Sequence, residues 1–120
     1  MKNEFKVIAN LLPQNTRVLD VGCGDGSLMS LLEKEKGIEV RGLEIDQTNV
    51  QKCIHKGLSV IQGNAETELH QFPEQSFDYV VLSQTLQAFY DPSKVMDELL
   101  RIGKSVICLL YTSDAADDEL

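Results

Sequence analysis

Long apolar runs are missing from this sequence of 120 residues. A helix that crosses a bilayer needs about 20 consecutive, mainly apolar residues, and no stretch approaches that length. The first six residues are mostly polar or charged, which argues against the apolar core of a signal peptide. We therefore expect a cytoplasmic protein of one domain without a membrane partner.

Basic residues are also scarce, with 11 lysines and arginines against 19 aspartates and glutamates, and a net charge of −8. Binding to nucleic acid needs a basic face that neutralises phosphates, and binding to an anionic membrane needs a cluster of basic residues. The sequence has neither. Four of the acids lie in the last seven residues, so the rest of the chain is only mildly acidic. We expect no nucleic-acid partner.

Potential metal ligands of the cysteine and histidine types are few. Cys23, Cys53 and Cys108 form no Cys-x-x-Cys pair and show no spacing typical of a metal site. Isolated cysteines of this kind are typical of free thiols in a reducing compartment, either buried or in loops. His55 and His70 have no plausible partner nearby in sequence, and we interpret both as surface residues. The sequence predicts no metal site.

What the sequence does contain is a regular alternation of strand and helix patterns. Short apolar stretches typical of buried parallel strands are followed by segments with helical periodicity, which predicts an α/β fold. Right-handed crossovers and a switch point between strands one and four then predict a doubly wound, Rossmann-like parallel sheet of order 3-2-1-4-5, with helices on both faces. The predicted strands are 17–21, 39–45, 58–62, 77–83 and a fifth that opens at 105–107.

Local signals indicate where the helices begin and which side they bury. Asp46 and Asp91 are expected to cap two helices, with Pro92 at the first helical position of the second. The segment 63–75 is polar and is predicted as a loop, while Asp78 is expected to hold the start of strand four. The predicted apolar faces are Ile8, Leu11 and Leu12; Leu28, Leu31 and Leu32; Val50, Cys53 and Ile54; and Val95, Met96, Leu99 and Leu100.

The most informative motif is the Gly-Cys-Gly-Asp-Gly run at 22–26, which follows strand one and opens a helix. Glycines let the backbone turn tightly and approach a ligand, and the amides of a helix start favour negative charge. Glu44, at the end of strand two, lies at the distance along the chain where a carboxylate accepts hydrogen bonds from a ribose diol. Together these features predict a site for a nucleoside-containing ligand.

Two ligands compete for this pattern. The dinucleotide fingerprint places its third glycine at position 27, where this chain has Ser27. The spacing found here, preceded by Asp20, resembles motif I of the class I S-adenosylmethionine-dependent methyltransferases. The simpler alternative is that the glycines only shape a turn. The coincidence of strand, loop, helix and Glu44 favours S-adenosylmethionine.

The resemblance implies a place for each part of S-adenosylmethionine or S-adenosylhomocysteine. The amino-acid end lies at the glycine loop, the ribose at Glu44, and the adenine against Ile45. Asn64 stands where the family commonly has aspartate; it can bond the adenine or simply form a turn. The implied ligand-binding set is Asp20, Gly22, Cys23, Gly24, Glu44, Ile45, Asn64, Ala65 and Ser83.

A closer resemblance covers nearly all of residues 1–107. Its segments are 17–26, 41–46, 57–63, 82–88 and 98–104, and the Leu-Ser-Gln-Thr-Leu-Gln run at 82–87 is the most specific. They look like the methionine biosynthesis protein MetW family. This resemblance implies an S-adenosylmethionine-binding accessory subunit that acts with homoserine O-acetyltransferase.

The alternative function is a small-molecule methyltransferase that uses S-adenosylmethionine. Positioning beside the sulfonium would then do most of the work, with a base near Gln84 or Tyr90. No residue in the sequence is a convincing general base, so the catalytic residues are unknown. For Tyr90 we expect packing against the last helix.

The end of the chain departs from the family pattern. Residues 108–117 resemble the translation of a transposon-end adapter used in sequencing libraries. We therefore expect an incomplete S-adenosylmethionine-binding domain at 1–107, a non-native tail at 108–120, and the loss of the terminal β-hairpin of the family. A genuine divergent tail is the alternative.

Overall fold

A five-stranded parallel sheet forms the centre of the protein in a computed structural model, which describes residues 3–83 and 86–109. The strand order is β3-β2-β1-β4-β5, and every neighbouring pair is parallel. This confirms the predicted fold class and strand order. The strands are β1 (Arg17–Val21), β2 (Glu39–Glu44), β3 (Ser59–Gln62), β4 (Phe77–Leu82) and β5 (Gly103–Cys108).

Helices cover both faces of the sheet, as doubly wound folds require. Successive side chains of a strand point to opposite faces, so Val18 packs with one apolar cluster and Leu19 with the other, both fully buried. The first cluster joins the sheet to α1, α2 and α3, and the second joins it to α4 and α5. The helices are α1 (Asn3–Leu11), α2 (Ser27–Lys36), α3 (Gln47–His55), α4 (Ala65–Glu68) and α5 (Pro92–Ile102).

Three predicted contacts at the ends of elements are confirmed. Asp46 accepts a hydrogen bond from the Asn49 amide at 3.1 Å and caps α3. Asp91 caps α5 through the Lys94 amide at 3.2 Å, with Pro92 as the first helical residue. At the start of β4, Asp78 accepts from the backbone N–H of Arg17 at 2.8 Å, which ties the beginnings of β4 and β1 together.

The prediction of a loop over 63–75 is wrong for its central part. The structure places α4 there, followed by a short 3₁₀-helix at Leu69–Gln71. The Asn64 side chain accepts from the Glu66 amide at 2.9 Å and begins the helix, and the Leu69 side chain is buried in the second cluster. A capping residue and one buried leucine suffice here because the sheet completes the packing.

Several predicted apolar faces are too wide. Leu11, Ile54 and Leu100 are 60%, 53% and 59% exposed, because only one stripe of each helix touches the sheet. The prediction that Tyr90 packs on the last helix is also wrong, since its side chain is 97% exposed. Tyr90 lies in the bend before α5, where its neighbour Phe89 takes the buried position instead.

His55 and His70 are exposed, as predicted. None of the helices in the described ranges is both long enough and apolar enough to cross a bilayer. β5 continues through Cys108, one residue past the predicted domain boundary at 107. Gln84 and residues 110–120 lie outside the described part of the chain, so the origin of the tail stays a prediction.

Candidate functional site

The glycine loop lies at the carboxyl end of β1, between the ends of β2 and β4. Gly24 has a φ of +58°, and a Cβ built on it would meet no atom within 4 Å, so open space lies in front of this residue. Gly26, with a φ of +87°, is crowded, because a Cβ there would lie 2.4 Å from Leu58 Cδ1. Gly24 is therefore needed for its backbone conformation, whereas Gly26 is needed both for its backbone conformation and for close packing.

Glu44 connects the end of β2 to this loop. Its Oε1 accepts the Gly24 N–H at 2.8 Å, and its Oε2 accepts the Asp46 N–H at 3.0 Å. The residue is only 8% exposed. Each carboxylate oxygen has a second lone pair, so the group can still accept hydrogen bonds from a diol. The sequence predicted a ribose-binding carboxylate here but missed that the same side chain shapes the glycine loop.

Asp20 lies beneath the loop and is completely buried. Its Oδ1 accepts the Ser83 hydroxyl at 2.6 Å, whereas its Oδ2 is buried and has no hydrogen-bond partner among the described residues. Burial raises the pKa of this carboxyl to about 7; the Ser83 hydrogen bond opposes the rise and the nearby Glu44 carboxylate adds to it. A buried oxygen without a donor is costly, so Oδ2 is the place where a donor on a ligand gains most.

Two cavities meet at Gly22. The larger, of about 320 Å³, is lined by Asp20, Cys23, Gly24 and Ser83, together with residues of α1 and α3 that include Lys52. The smaller, of about 180 Å³, is lined by Ile45, Asn64 and Ala65, with Leu43 and Phe89 behind them. Eight of the nine predicted ligand-binding residues therefore line one cavity or the other. Glu44, the ninth, lines neither cavity but bonds the N–H of Gly24, which lines the larger one.

The two compartments differ in character, as the two ends of the expected ligand do. The larger contains the buried carboxyl of Asp20 and the ammonium of Lys52. The smaller combines apolar side chains with Asn64, and Ile45 there is 60% exposed. The side-chain oxygen of Asn64, Oδ1, accepts the hydrogen bond that caps α4. The side-chain amide nitrogen is therefore the group through which Asn64 can meet an adenine. That these residues bind a ligand stays a prediction.

Two cysteine thiols lie in contact beside the backbone of the glycine loop, although their spacing in the sequence did not indicate this. The Sγ atoms of Cys23 and Cys53 are 4.0 Å apart, and the Cys53 thiol donates to the Gly24 carbonyl at 3.3 Å. Burial raises the pKa of both thiols, and the Asp20 carboxyl adds to the rise at Cys23. Both are therefore neutral at physiological pH and act as small packing groups.

The chain resembles known proteins over most of its length. It is 31% identical over 108 residues to the bifunctional methionine biosynthesis protein MetXA/MetW of Rhodopirellula baltica, covering 83% of this chain and 17% of the relative. It is 32% identical over 108 residues to the demethylmenaquinone methyltransferase of Bacillus licheniformis, covering 82% of this chain and 46% of that enzyme. The chain thus spans less than half the length of these curated relatives.

Among solved structures, a similar one is a SAM-dependent methyltransferase of Thermotoga maritima, described as a possible histamine N-methyltransferase. It has a TM-score of 0.67 and 26% identity, over 82% of this chain and 44% of that protein. The family model for methionine biosynthesis protein MetW matches residues 2–111, a range that contains the glycine loop and all the strands described above. The chain therefore belongs to the methionine biosynthesis protein MetW family.

Proposed function

We propose that this chain binds S-adenosylmethionine or S-adenosylhomocysteine in the paired cavities, and that it is an accessory subunit in methionine biosynthesis, acting with homoserine O-acetyltransferase. The observation that carries the ligand proposal is the arrangement of Asp20, the glycine loop and Glu44 around two cavities that meet at Gly22. Family membership supports the pathway.

Three parts of the ligand have a chemical counterpart in the site. The Oδ2 of Asp20, which has no hydrogen-bond partner among the described residues, suits the α-ammonium, because charged donors form the strongest hydrogen bonds to carboxylates. The Glu44 oxygens suit the ribose hydroxyls. The exposed apolar surface of Ile45 can cover one face of the adenine, whose edge would meet Asn64 and Ala65.

The start of α2 disfavours a dinucleotide. In a dinucleotide site the pyrophosphate binds the free amides of this helix start. Here the Asp25 carboxylate already occupies the position, since it accepts both the Ser27 N–H at 3.0 Å and the Ser27 hydroxyl at 2.7 Å. These bonds to Ser27 lower the pKa of Asp25, so it carries a negative charge that would repel a pyrophosphate. S-adenosylmethionine has no phosphate, and the carboxylate of its amino-acid end is balanced by the adjacent ammonium.

Titration calorimetry with S-adenosylhomocysteine and with NADH tests the ligand. We expect S-adenosylhomocysteine to bind, and Glu44→Ala to weaken its binding by about 1–3 kcal/mol, the value of a lost charged hydrogen bond. Glu39→Ala is the matched control, because Glu39 is an exposed glutamate at the opposite end of the same strand. Preferential binding of NADH, or equal affinities of the Glu44 and Glu39 variants, would contradict the proposal.

The choice between accessory subunit and methyltransferase rests on the relatives. The Rhodopirellula protein is named as a bifunctional MetXA/MetW protein, which favours a partnership with the acyltransferase. The Bacillus relative is named as a methyltransferase, which favours the second candidate, a small-molecule methyltransferase. A shared fold does not decide between them, because function is a property of the site.

Co-purification of the complete gene product with a tagged homoserine O-acetyltransferase, with and without S-adenosylmethionine, tests the accessory role. We expect a complex and a change in the rate of homoserine acetylation. In parallel, labelled S-adenosylmethionine reveals any methyl transfer to a metabolite extract. Methyl transfer without a complex would establish the methyltransferase candidate and remove the accessory one.

A further inference from the structure

We infer that Ser83 is a positioning residue that acts through Asp20, favouring its charged carboxylate form and directing it at the cationic end of the ligand. This inference rests on the ligand proposed above, and it adds a role for a residue that the sequence predicted only as a direct ligand contact.

The backbone holds Ser83 in place for this task. Ser83 follows β4 directly, and its N–H donates to the Val21 carbonyl of β1 at 2.9 Å. The parallel register beside it pairs Val21 with Leu82. With its backbone bonded across the two strands, Ser83 extends its hydroxyl to Asp20 Oδ1, 2.6 Å away. One oxygen of the carboxyl is thereby held, and Oδ2 remains without a partner among the described residues.

The charges around Asp20 explain why one hydroxyl matters. Glu44 is the nearby carboxylate, and its negative charge disfavours ionisation of Asp20. The Cys23 thiol on the loop is neutral. Glu4 on α1, Asp25 on the loop and Lys52 on α3 line the same cavity, and of these three only Lys52 is positive. The Ser83 hydrogen bond lowers the pKa of Asp20, whereas burial and the charge of Glu44 raise it.

Binding is then linked to a proton. When Asp20 is protonated, forming the ion pair with an ammonium ligand requires loss of that proton, so that Asp20–COOH and R–NH₃⁺ give the pair Asp20–COO⁻·R–NH₃⁺ and a free proton. Loss of the Ser83 hydrogen bond favours the protonated carboxyl and makes this exchange harder. A purely structural Ser83, which only joins β4 to β1, would instead affect binding equally at every pH.

The test measures the dissociation constant of S-adenosylhomocysteine between pH 5.5 and 9 for the wild-type chain, Ser83→Ala and Ser83→Thr. The affinity should rise with pH as Asp20 ionises. We expect Ser83→Ala to displace the rising limb to higher pH and to weaken binding by about tenfold at pH 7, as for loss of a hydrogen bond to a charged group. Ser83→Thr, which keeps the hydroxyl, should restore the wild-type profile.

Two comparisons make the result decisive. Affinity for 5′-methylthioadenosine, which lacks the amino-acid end, should be the same for wild type and Ser83→Ala. In an Asp20→Asn background the effect of Ser83→Ala should disappear, because the two residues act as one unit. An unchanged rising limb, or an equal loss in that background, would overturn the inference. If the wild-type chain failed to bind S-adenosylhomocysteine at all, the proposed function would fall first, and this inference with it.

Discussion

At the scale of single residues, Asp20 is the most unusual group in the described structure. Its carboxyl is completely buried, with one oxygen bonded to a hydroxyl and the other without a partner among the described residues, and is therefore costly to ionise. A fold that only needed stability would place an apolar side chain here. Such a cost is typical of functional sites, where a group is kept ready for a ligand.

This burial makes the stability of the ligand-free protein depend on pH. The pKa of Asp20 is about 7 in the folded chain, against about 4 in the unfolded chain. Below pH 4 both states hold the proton. Between pH 4 and 7 only the folded state holds it, so the free energy of unfolding falls as pH rises and levels off above pH 7. The total loss is on the order of a few kcal/mol.

We therefore expect Asp20→Asn, which cannot ionise, to be more stable than wild type at pH 8. Its advantage over wild type in the free energy of unfolding should be roughly 2–4 kcal/mol larger at pH 8 than at pH 4.5. Urea denaturation at the two pH values measures this difference. Asp97→Asn serves as the control, because Asp97 is an exposed carboxyl on α5. An Asp20→Asn advantage of the same size at both pH values would contradict the account of this carboxyl.

At the scale of elements, the site depends on how α2 and α3 meet the glycine loop. Gly26 begins α2 in a left-handed conformation, and the Asp25 carboxylate bonds the first turn of the helix. Lys56 lies just beyond the end of α3, and its Nζ donates a hydrogen bond to the Asp25 backbone carbonyl at 2.8 Å. The loop is thus held from both helices, and its conformation does not rely on the ligand alone.

Two glycines near this junction allow a matched comparison. Gly26 and Gly57 both have positive φ, +87° and +76°, but a Cβ would strike Leu58 and Cys53 at the first and open space at the second. We expect Gly57→Ala to cost about 1 kcal/mol from backbone strain alone. Gly26→Ala should cost about 1 kcal/mol more, because it also overpacks the core. Denaturation midpoints of the two variants test this. Equal losses of stability would mean that the core around Gly26 rearranges to accept the added methyl group without further cost.

At the scale of the whole molecule, β3 and β5 are the edge strands of the sheet among the described residues. Among the described residues β5 has a neighbour on one side only, so the outer N–H and C=O groups of Gly103–Cys108 are available for pairing. Exposed edges of this kind pair readily with other chains. The apolar Val106 and Ile107 pack partly against the two core clusters, which keeps the strand in the sheet.

We expect the 120-residue chain, expressed alone, to self-associate in a concentration-dependent way, because edge pairing would satisfy these backbone groups. Sedimentation velocity over a hundredfold range of concentration measures this, with added homoserine O-acetyltransferase as the comparison. A chain that stays monomeric throughout that range would show that the edge is protected.

The features determined by the sequence itself are those that neighbouring residues control. Strand and helix alternation, the caps by Asp46 and Asp91, and the glycine loop each depend on residues only a few positions apart, so they could be predicted. Parallel strand order followed as well, because crossover handedness leaves few alternatives. Glu44 could be placed at the site because the carboxyl ends of adjacent parallel strands lie at the same edge.

Only the tertiary structure decided the contacts between distant residues. The bond from Ser83 to Asp20 joins positions 63 residues apart, and the contact of Cys23 with Cys53 joins positions 30 apart. Both depend on the register of the strands and the seating of a helix, which no local pattern encodes. The exposure of Leu11 has the same cause, since periodicity marks an apolar face but the sheet decides how much of it is covered. The burial that raises the pKa of Asp20 arises in the same way, because distant elements pack around this residue as the chain folds.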